Sequence, residues 1–172
     1  HNIRCLENDI RPTDRYLTER FITGPVEINT TTNKITPAEY TPDLKILSLD
    51  IETGWNNNQL YAIGFVSQQQ NRVLMIGNED NTDTIEFFPD EITLIKQFLS
   101  WVERIDPDII IGWNVVQFDF RFLQQKCEQL KIPFQIGREK SLPVWRQAQD
   151  ETSHYFLLIP GRVVLDGIDL LK

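Results

Sequence analysis

An apolar run with the periodicity of a strand occupies residues 44–51 and ends beside two carboxylates. Because side chains alternate between the two faces of a strand, Leu47 and Leu49 lie on one face, whereas Asp50 and Glu52 lie on the other. The Cα atoms of the two acidic residues would be roughly 6.6 Å apart, so that oxygen atoms from both could bind one divalent cation. The pattern therefore predicts a metal site, although two solvated polar residues at a strand end would show the same pattern.

The remaining apolar pattern predicts an α/β domain with a mixed sheet. Helical spacing follows Asp90, the predicted N-cap of a first helix. It recurs in a second helix that has Phe118 on its inner side and ends before Pro133. Further strands are predicted at residues 60–67, 72–76, 108–112, 155–159 and 162–165.

Residues 1–42 differ in character from the rest of the chain. They contain a Thr- and Asn-rich stretch at residues 29–36, which is followed by Pro37 and Pro42. Turn-forming residues at this density predict short strands and turns. We therefore expect a β-rich N-terminal segment over residues 1–42, followed by the α/β domain over residues 43–172.

Composition and charge narrow the classes of function. The chain has 172 residues and a formal net charge of -8. Such a chain is poorly suited to hold nucleic acid alone, because non-specific affinity comes mainly from Lys and Arg, but carboxylates that bind cations count as bare charges in this sum. Two cysteines are too few for a disulfide framework or a zinc site. No apolar run of about eighteen residues and no leader pattern is present, which predicts a cytoplasmic protein without membrane partners.

A third carboxylate follows the short, wholly apolar strand predicted at residues 108–112. Residues 112–119 link that strand to the second helix, which would bring Asp119 towards the sheet edge that carries Asp50 and Glu52. An acidic residue in the first turn of a helix also stabilises the helix, so capping is an alternative role for Asp119.

Two of these segments resemble sequence motifs of a known family. Residues 50–53, Asp-Ile-Glu-Thr, and residues 114–119, Asn-x-x-x-Phe-Asp, are similar to the first two motifs of the 3′→5′ exonuclease domain of family B DNA polymerases. Residues 11–24 and 161–167 resemble the bacterial members of polymerase II type. Two ordered motifs at a fitting separation are a specific signal, and the resemblance covers essentially the whole chain.

The resemblance implies a ribonuclease H-like fold, with a mixed sheet of five to six strands and flanking helices. It also implies a proofreading activity that hydrolyses the 3′-terminal phosphodiester of single-stranded DNA with two divalent cations, Mg²⁺ or Mn²⁺. One cation activates water and the other stabilises the leaving oxygen. By resemblance, Asp50 bridges both ions, Glu52 binds one of them and Asp119 completes the second.

The resemblance also assigns residues to the 3′ end of the strand. Phe118 would stack on a base, Asn114 would contact the strand nearby, and Thr53 would donate its backbone amide to the terminal nucleotide. A core aromatic residue at helical spacing would look the same as Phe118, so packing is the alternative. Trp55 and Trp113 flank the two motifs, where they could brace the site or contact a base.

The implied partners are DNA, the remaining polymerase domains of a parent chain and a sliding clamp, in the bacterial cytoplasm at the nucleoid. The chain begins with His1 and ends at Lys172 without a terminating signal, which predicts a polymerase fragment. A stand-alone ribonuclease H-like exonuclease and a catalytically silent DNA-binding scaffold are the competing interpretations.

The family's third motif, Tyr-x-x-x-Asp, does not occur in the 172 residues. In the family it follows a segment like residues 161–167, so we expect the domain to be truncated before this fourth carboxylate. Asp166 and Asp169 lie in a strand and a helix start to which the family gives no catalytic role. We therefore expect the chain by itself to be a weak or inactive exonuclease.

Overall fold

The structure is a computed structural model that describes residues 10–147 and 154–171. Contacts between residues divide the chain into two units, with the boundary between Asp43 and Leu44. Of the two cysteines, Cys127 is a buried free thiol, and Cys5 lies outside the described residues.

The first unit contains a short helix and a hairpin. Helix α1 spans Pro12–Thr18, and strands β1 (Val26–Asn29) and β2 (Lys34–Pro37) pair antiparallel. The hairpin agrees with the β-rich prediction, but the prediction of strands and turns alone was wrong at α1. Proline suits the first helical position, because the amide it lacks has no partner there, and Asp14 in the first turn favours the helix further.

The second unit is built on a mixed sheet of six strands. The strands are β3 (Ile46–Thr53), β4 (Leu60–Ser67), β5 (Asn71–Ile76), β6 (Ile85–Phe88), β7 (Ile109–Gly112) and β10 (Val163–Asp166). Their order across the sheet is β10-β7-β3-β4-β5-β6. Strand β4 runs antiparallel to both neighbours, and the other neighbouring pairs are parallel. A separate hairpin is formed by β8 (Val144–Gln147) and β9 (Tyr155–Leu158). The predicted fold class, a mixed sheet with helices, is confirmed.

The α-helices in the described part of this unit are α2 (Glu91–Ile105), α3 (Arg121–Leu130) and the single turn α4 (Gly167–Leu170). Asp90 is the N-cap of α2, as predicted, and its carboxylate accepts a hydrogen bond from the Thr93 amide at 2.8 Å. Helix α2 packs on β4, β5 and β6. Its buried residues are Leu94, Ile95, Phe98, Trp101 and Val102.

The core joins the sheet to α2 and α3. Each of these elements contributes fully buried side chains. Examples are Leu47 of β3, Ile63 of β4, Phe98 of α2, Ile110 of β7 and Leu123 of α3. Each such side chain contributes about 1.5–3 kcal/mol by leaving water, so this core fixes the strands that carry the acidic residues. Among the described residues, no helix is long and apolar enough to cross a membrane.

Candidate functional site

The end of β3 presents two carboxylates to solvent. Asp50 and Glu52 are exposed, whereas Leu49 and Ile51, which alternate with them, are 2% and 5% exposed. The strand periodicity predicted from the sequence is therefore confirmed. The apolar side chains anchor β3 in the core, so the direction of the two acidic side chains is fixed by the strand itself.

The pairing of strands β3 and β7 ends just before these carboxylates. Their parallel ladder ends where Ser48 pairs with Ile111. At the next position Gly112 comes so close to β3 that an added Cβ would lie 2.6 Å from the Leu49 carbonyl oxygen. The chain then turns out of the sheet, and the loop that follows β7 carries the second sequence motif.

Asp119 lies directly against β3. Its Oδ1 atom accepts a hydrogen bond from the Ile51 amide at 3.0 Å, at the residue between Asp50 and Glu52. The side chain is only 1% exposed. The structure thus brings Asp119 to the end of β3, as the sequence predicted, but as a buried group.

A π-helical turn, Val116–Phe120, places Asp119 there. The Phe120 amide donates to the Val115 carbonyl oxygen at 2.9 Å, which spans five residues instead of the four of an α-helix. The extra residue shifts the helical phase, so Phe120 is fully buried while Phe118 is 43% exposed. The sequence prediction that Phe118 lies on the inner face of the second helix was therefore wrong. Its exposed ring suits base stacking better than core packing.

Burial dominates the electrostatics of Asp119. Burial, together with the smaller effect of the nearby charges of Asp50 and Asp166, raises the pKa of the carboxyl group to about 7, although amide hydrogen bonds from Asp119 itself and from Ile51 oppose the shift. The negative charge of Asp50 is therefore felt at Asp119. Capping of a helix, the alternative role considered for Asp119, does not explain a buried carboxyl group beside a second carboxylate.

The donor set fits a hard divalent cation in its chemistry. Carboxylate oxygens are the ligands that Mg²⁺ and Mn²⁺ prefer, and in residues 10–147 and 154–171 no Lys or Arg side chain forms an ion pair with Asp50, Glu52 or Asp119. A cation would offset the charge that raises the pKa of Asp119. No group of three or more His, Cys, Asp or Glu side chains in this part of the chain is arranged to hold a metal ion, so Asp50, Glu52 and Asp119 do not form a closed set of three ligands here.

Thr53, the last residue of the first motif, ends β3, and Trp55 lies in the turn that follows. The register between β3 and β4 shifts between Glu52 and Thr53, and Thr53 is half-buried. Trp55, in the turn that follows, is 98% exposed, so it braces nothing among the described residues. Trp113 is 63% exposed and precedes Asn114, whose backbone has a left-handed φ of 57°.

Asp166 is a residue of this region whose role the sequence did not reveal. It ends β10, pairs in register with Gly112 and is 5% exposed. Its carboxylate accepts hydrogen bonds from the amides of Asn114 and Val116 in the loop after β7. In the sequence, Asp166 could be recognised only as an aspartate at the carboxyl end of a predicted strand. Its contacts with the loop follow from the parallel pairing of β10 with β7, which the sequence does not show.

Asp169 lies in α4, and its Oδ2 atom is 3.5 Å from His154 Nε2.

Comparisons with known proteins agree on one family. Residues 5–172 match the model of the DNA polymerase family B exonuclease domain. DNA polymerase II of Escherichia coli K12 is 38% identical over 183 residues, covering 99% of this chain and 23% of that protein. The DNA polymerase of Thermococcus kodakarensis is 31% identical over 144 residues, covering 80% of this chain and 8% of that protein.

A solved structure shows the same fold. The family B DNA polymerase of Pyrobaculum calidifontis superposes with a TM-score of 0.64 at 20% identity, over 96% of this chain and 23% of that one. The chain therefore spans less than a quarter of each of these relatives.

Proposed function

Because the chain belongs to the family B DNA polymerases, as an exonuclease domain of ribonuclease H-like fold, we propose that it removes nucleotides from the 3′ end of single-stranded DNA. The complete protein would be a DNA-directed DNA polymerase of polymerase II type that proofreads its own product. The relatives named above are all DNA polymerases, which favours this parent over a stand-alone nuclease.

The domain assignment is part of the proposal. We assign residues 1–42 to the N-terminal domain of the polymerase and residues 43–172 to its exonuclease domain. The division of the chain into two units between Asp43 and Leu44 supports this boundary.

The hydrogen bond between Ile51 and Asp119 supports the catalytic assignment most strongly. It joins two motifs that are 68 residues apart in the sequence and puts a buried carboxyl group within reach of the charge of Asp50. We assign Asp50, Glu52 and Asp119 to the binding of two divalent cations, Mg²⁺ or Mn²⁺. When bound, such ions activate the attacking water and stabilise the leaving oxygen. The chain's own contribution is to fix the carboxylates: β3 orients Asp50 and Glu52, and the Ile51 amide holds Asp119.

The strand end would be bound by the residues around these carboxylates. The Phe118 ring is 43% exposed and can stack on a base, which binds any sequence because every base has a flat face. Asn114 lies at the start of the same loop, and Thr53 follows Glu52 on β3. We assign both to contacts with the terminal nucleotides. Single-stranded DNA, the remaining polymerase domains and a sliding clamp are the proposed partners, in the bacterial cytoplasm at the nucleoid.

Digestion of a 5′-labelled single-stranded oligonucleotide by the complete natural protein, without nucleotides, tests this function. We expect Mg²⁺-dependent products that shorten one nucleotide at a time from the 3′ end. Asp50→Ala should lower the rate at least about 100-fold, because it removes a charged group that stabilises the transition state. Asp90→Asn, at the N-cap of α2, is the control and should digest like the wild type. Internal cleavage, or digestion that persists in Asp50→Ala, would refute the assignment.

A further inference from the structure

One buried carboxylate outside the predicted catalytic set holds the loop that leads into the candidate site. Asp166 Oδ1 accepts hydrogen bonds from the amides of Asn114 at 3.1 Å and Ile168 at 2.9 Å. Its Oδ2 atom accepts one from the Val116 amide at 2.9 Å. Both oxygens are therefore used by backbone donors, in a side chain that is 5% exposed.

Helix capping explains only one of these contacts. Asp166 is the N-cap of α4, and the Ile168 amide is the capped group. The other two donors are the backbone amides of Asn114 and Val116, which lie 52 and 50 residues before Asp166 in the sequence. Serine would cap a four-residue helix equally well, but its single hydroxyl oxygen has two lone pairs and could not accept from the α4 amide and from both loop amides as well.

The loop that Asp166 holds is the one from which the π-helical turn is built. Asn114 has a left-handed backbone, a conformation that a non-glycine residue keeps only where the surrounding structure holds it. The Asn114 carbonyl oxygen accepts the Phe118 amide at 2.9 Å. Asp119 follows directly, and its carboxylate reaches the Ile51 amide. The positions of Phe118 and Asp119 thus depend on the same short loop whose amides donate hydrogen bonds to Asp166.

We propose that Asp166 is a positioning residue of the 3′-end site, whose carboxylate fixes residues 114–116 so that Phe118 and Asp119 face the strand end and Asp50. This inference rests on the proposed exonuclease function. Asp166 does not touch the substrate in this role. It acts through two backbone amides, and its carboxylate ties the end of β10 to the loop after β7.

The experiment uses the complete natural protein with the variants Asp166→Asn and Asp166→Ser. Asparagine keeps the shape but turns one acceptor into a donor, so it must lose a hydrogen bond to the loop. Serine keeps the α4 cap and loses the loop contacts. Asp90→Asn is the matched control, because Asp90 also caps a helix through its carboxylate but contacts only the first turn of α2.

Two readouts separate positioning from general support of the fold. The first is turnover on single-stranded DNA, where we expect both Asp166 variants to lower kcat roughly ten- to a hundredfold with little change in KM, as for loss of a hydrogen bond to a charged group. The second needs no metal: a 2-aminopurine base at the 3′ end, with EDTA present, reports stacking on Phe118. Asp166→Asn should remove this fluorescence change, and in a Phe118→Ala background it should have no further effect.

The outcomes distinguish the exonuclease function from the positioning role of Asp166. Absence of digestion and of the fluorescence change in the wild type would refute the exonuclease function itself. A wild type that shows both, with Asp166 variants that behave like Asp90→Asn, would overturn the positioning role alone. Loss of the folded circular dichroism spectrum in both Asp166 variants would also overturn it, because the carboxylate would then support the whole domain.

Discussion

Asp119 combines burial, a strand amide and a neighbouring carboxylate. Its side chain is 1% exposed, its Oδ1 accepts the Ile51 amide, and its pKa is raised to about 7, first by burial and then by the charge of Asp50. A carboxyl group in this state resists ionisation until a cation compensates it. The same residue therefore links the stability of the domain to pH and to divalent metal.

We expect the free energy of unfolding in EDTA to fall as the pH rises from about 4 to about 7. The folded state holds the Asp119 proton up to a pKa of about 7, whereas the unfolded chain loses it near 3.8, so stability is fully present below 3.8 and lost through this window. The loss would be at most about 4 kcal/mol. Urea unfolding followed by circular dichroism at several pH values measures it.

Asp119→Asn is the control for this pH dependence. Asparagine still accepts the Ile51 amide but cannot ionise, so this part of the slope should vanish. Added Mg²⁺ above pH 7 should stabilise the wild type and not the variant. An unchanged slope in Asp119→Asn would show that Asp119 ionises as easily in the folded state as in the unfolded chain.

Individual residues were predictable where the motif named them and unpredictable where the environment decides. Because Asp119 follows a predicted strand that would lie beside β3, the sequence predicted that Asp119 approaches Asp50 and Glu52, and the Ile51 hydrogen bond confirms its approach to β3. The burial of Asp119 and the loop contacts of Asp166 depend on neighbours that are about 50 to 70 residues away in sequence. No local pattern carries that information.

At the scale of elements, the site lies where β7 leaves the sheet. Gly112 allows β7 to approach β3 closely just before the loop turns away, and the π-helical turn then directs Asp119 back to β3. Insertion of one residue into a helical turn is a recurrent way to redirect a functional side chain. The geometry of the carboxylates thus depends on a strand end and a turn that cannot shift independently.

Gly112→Ala should destabilise the domain by about 1–3 kcal/mol, since its Cβ would lie 2.6 Å from the Leu49 carbonyl oxygen and 2.8 Å from the Val115 Cβ. Gly64→Ala is the matched control in β4, opposite Asp50, where the nearest atom would be 3.9 Å away. This second change should be neutral or stabilising by up to about 1 kcal/mol. Thermal unfolding of both variants measures the difference, and equal melting temperatures would contradict the close approach of β7 to β3.

The elements show which sequence signals are strong. β4 was predicted at its observed bounds and α2 at its observed N-cap, because strand propensity, turn residues and capping are local signals. β6 and β8 were missed: β6 is half-buried throughout without alternation, and β8 pairs only with β9 in a two-stranded hairpin. The π-helical turn was missed because the sequence was compared with the 3.6-residue period of an α-helix, and a single inserted residue is not visible in that periodicity.

At the scale of the whole molecule, charge and length limit what this chain does by itself. The net charge is -8, and the relatives it matches are more than four times longer. Lys and Arg supply most of the affinity for phosphates, and in this chain they are outnumbered by Asp and Glu. The affinity for DNA would therefore come mainly from other parts of the complete protein. The 172 residues also lack the Tyr-x-x-x-Asp motif that supplies a fourth carboxylate in the family.

We expect the 172-residue polypeptide to bind single-stranded DNA more weakly than about 10⁻⁴ M at physiological salt, and to digest it slowly or not at all. Fluorescence anisotropy and the labelled-oligonucleotide assay measure these two quantities. The complete natural protein, measured in parallel, should bind more tightly and digest faster. Equal affinity and rate would show that this chain carries the whole binding surface and catalytic site.

The position of Mn²⁺ in crystals of this chain, soaked at a pH above the Asp119 pKa of about 7, shows whether Asp50 and Asp119 bind a divalent cation. We predict an anomalous difference peak between the carboxylates of Asp50 and Asp119, and its loss in Asp50→Asn. Saturating Mn²⁺ that leaves no peak at these carboxylates would contradict the assignment of a metal-dependent exonuclease and favour a silent DNA-binding scaffold.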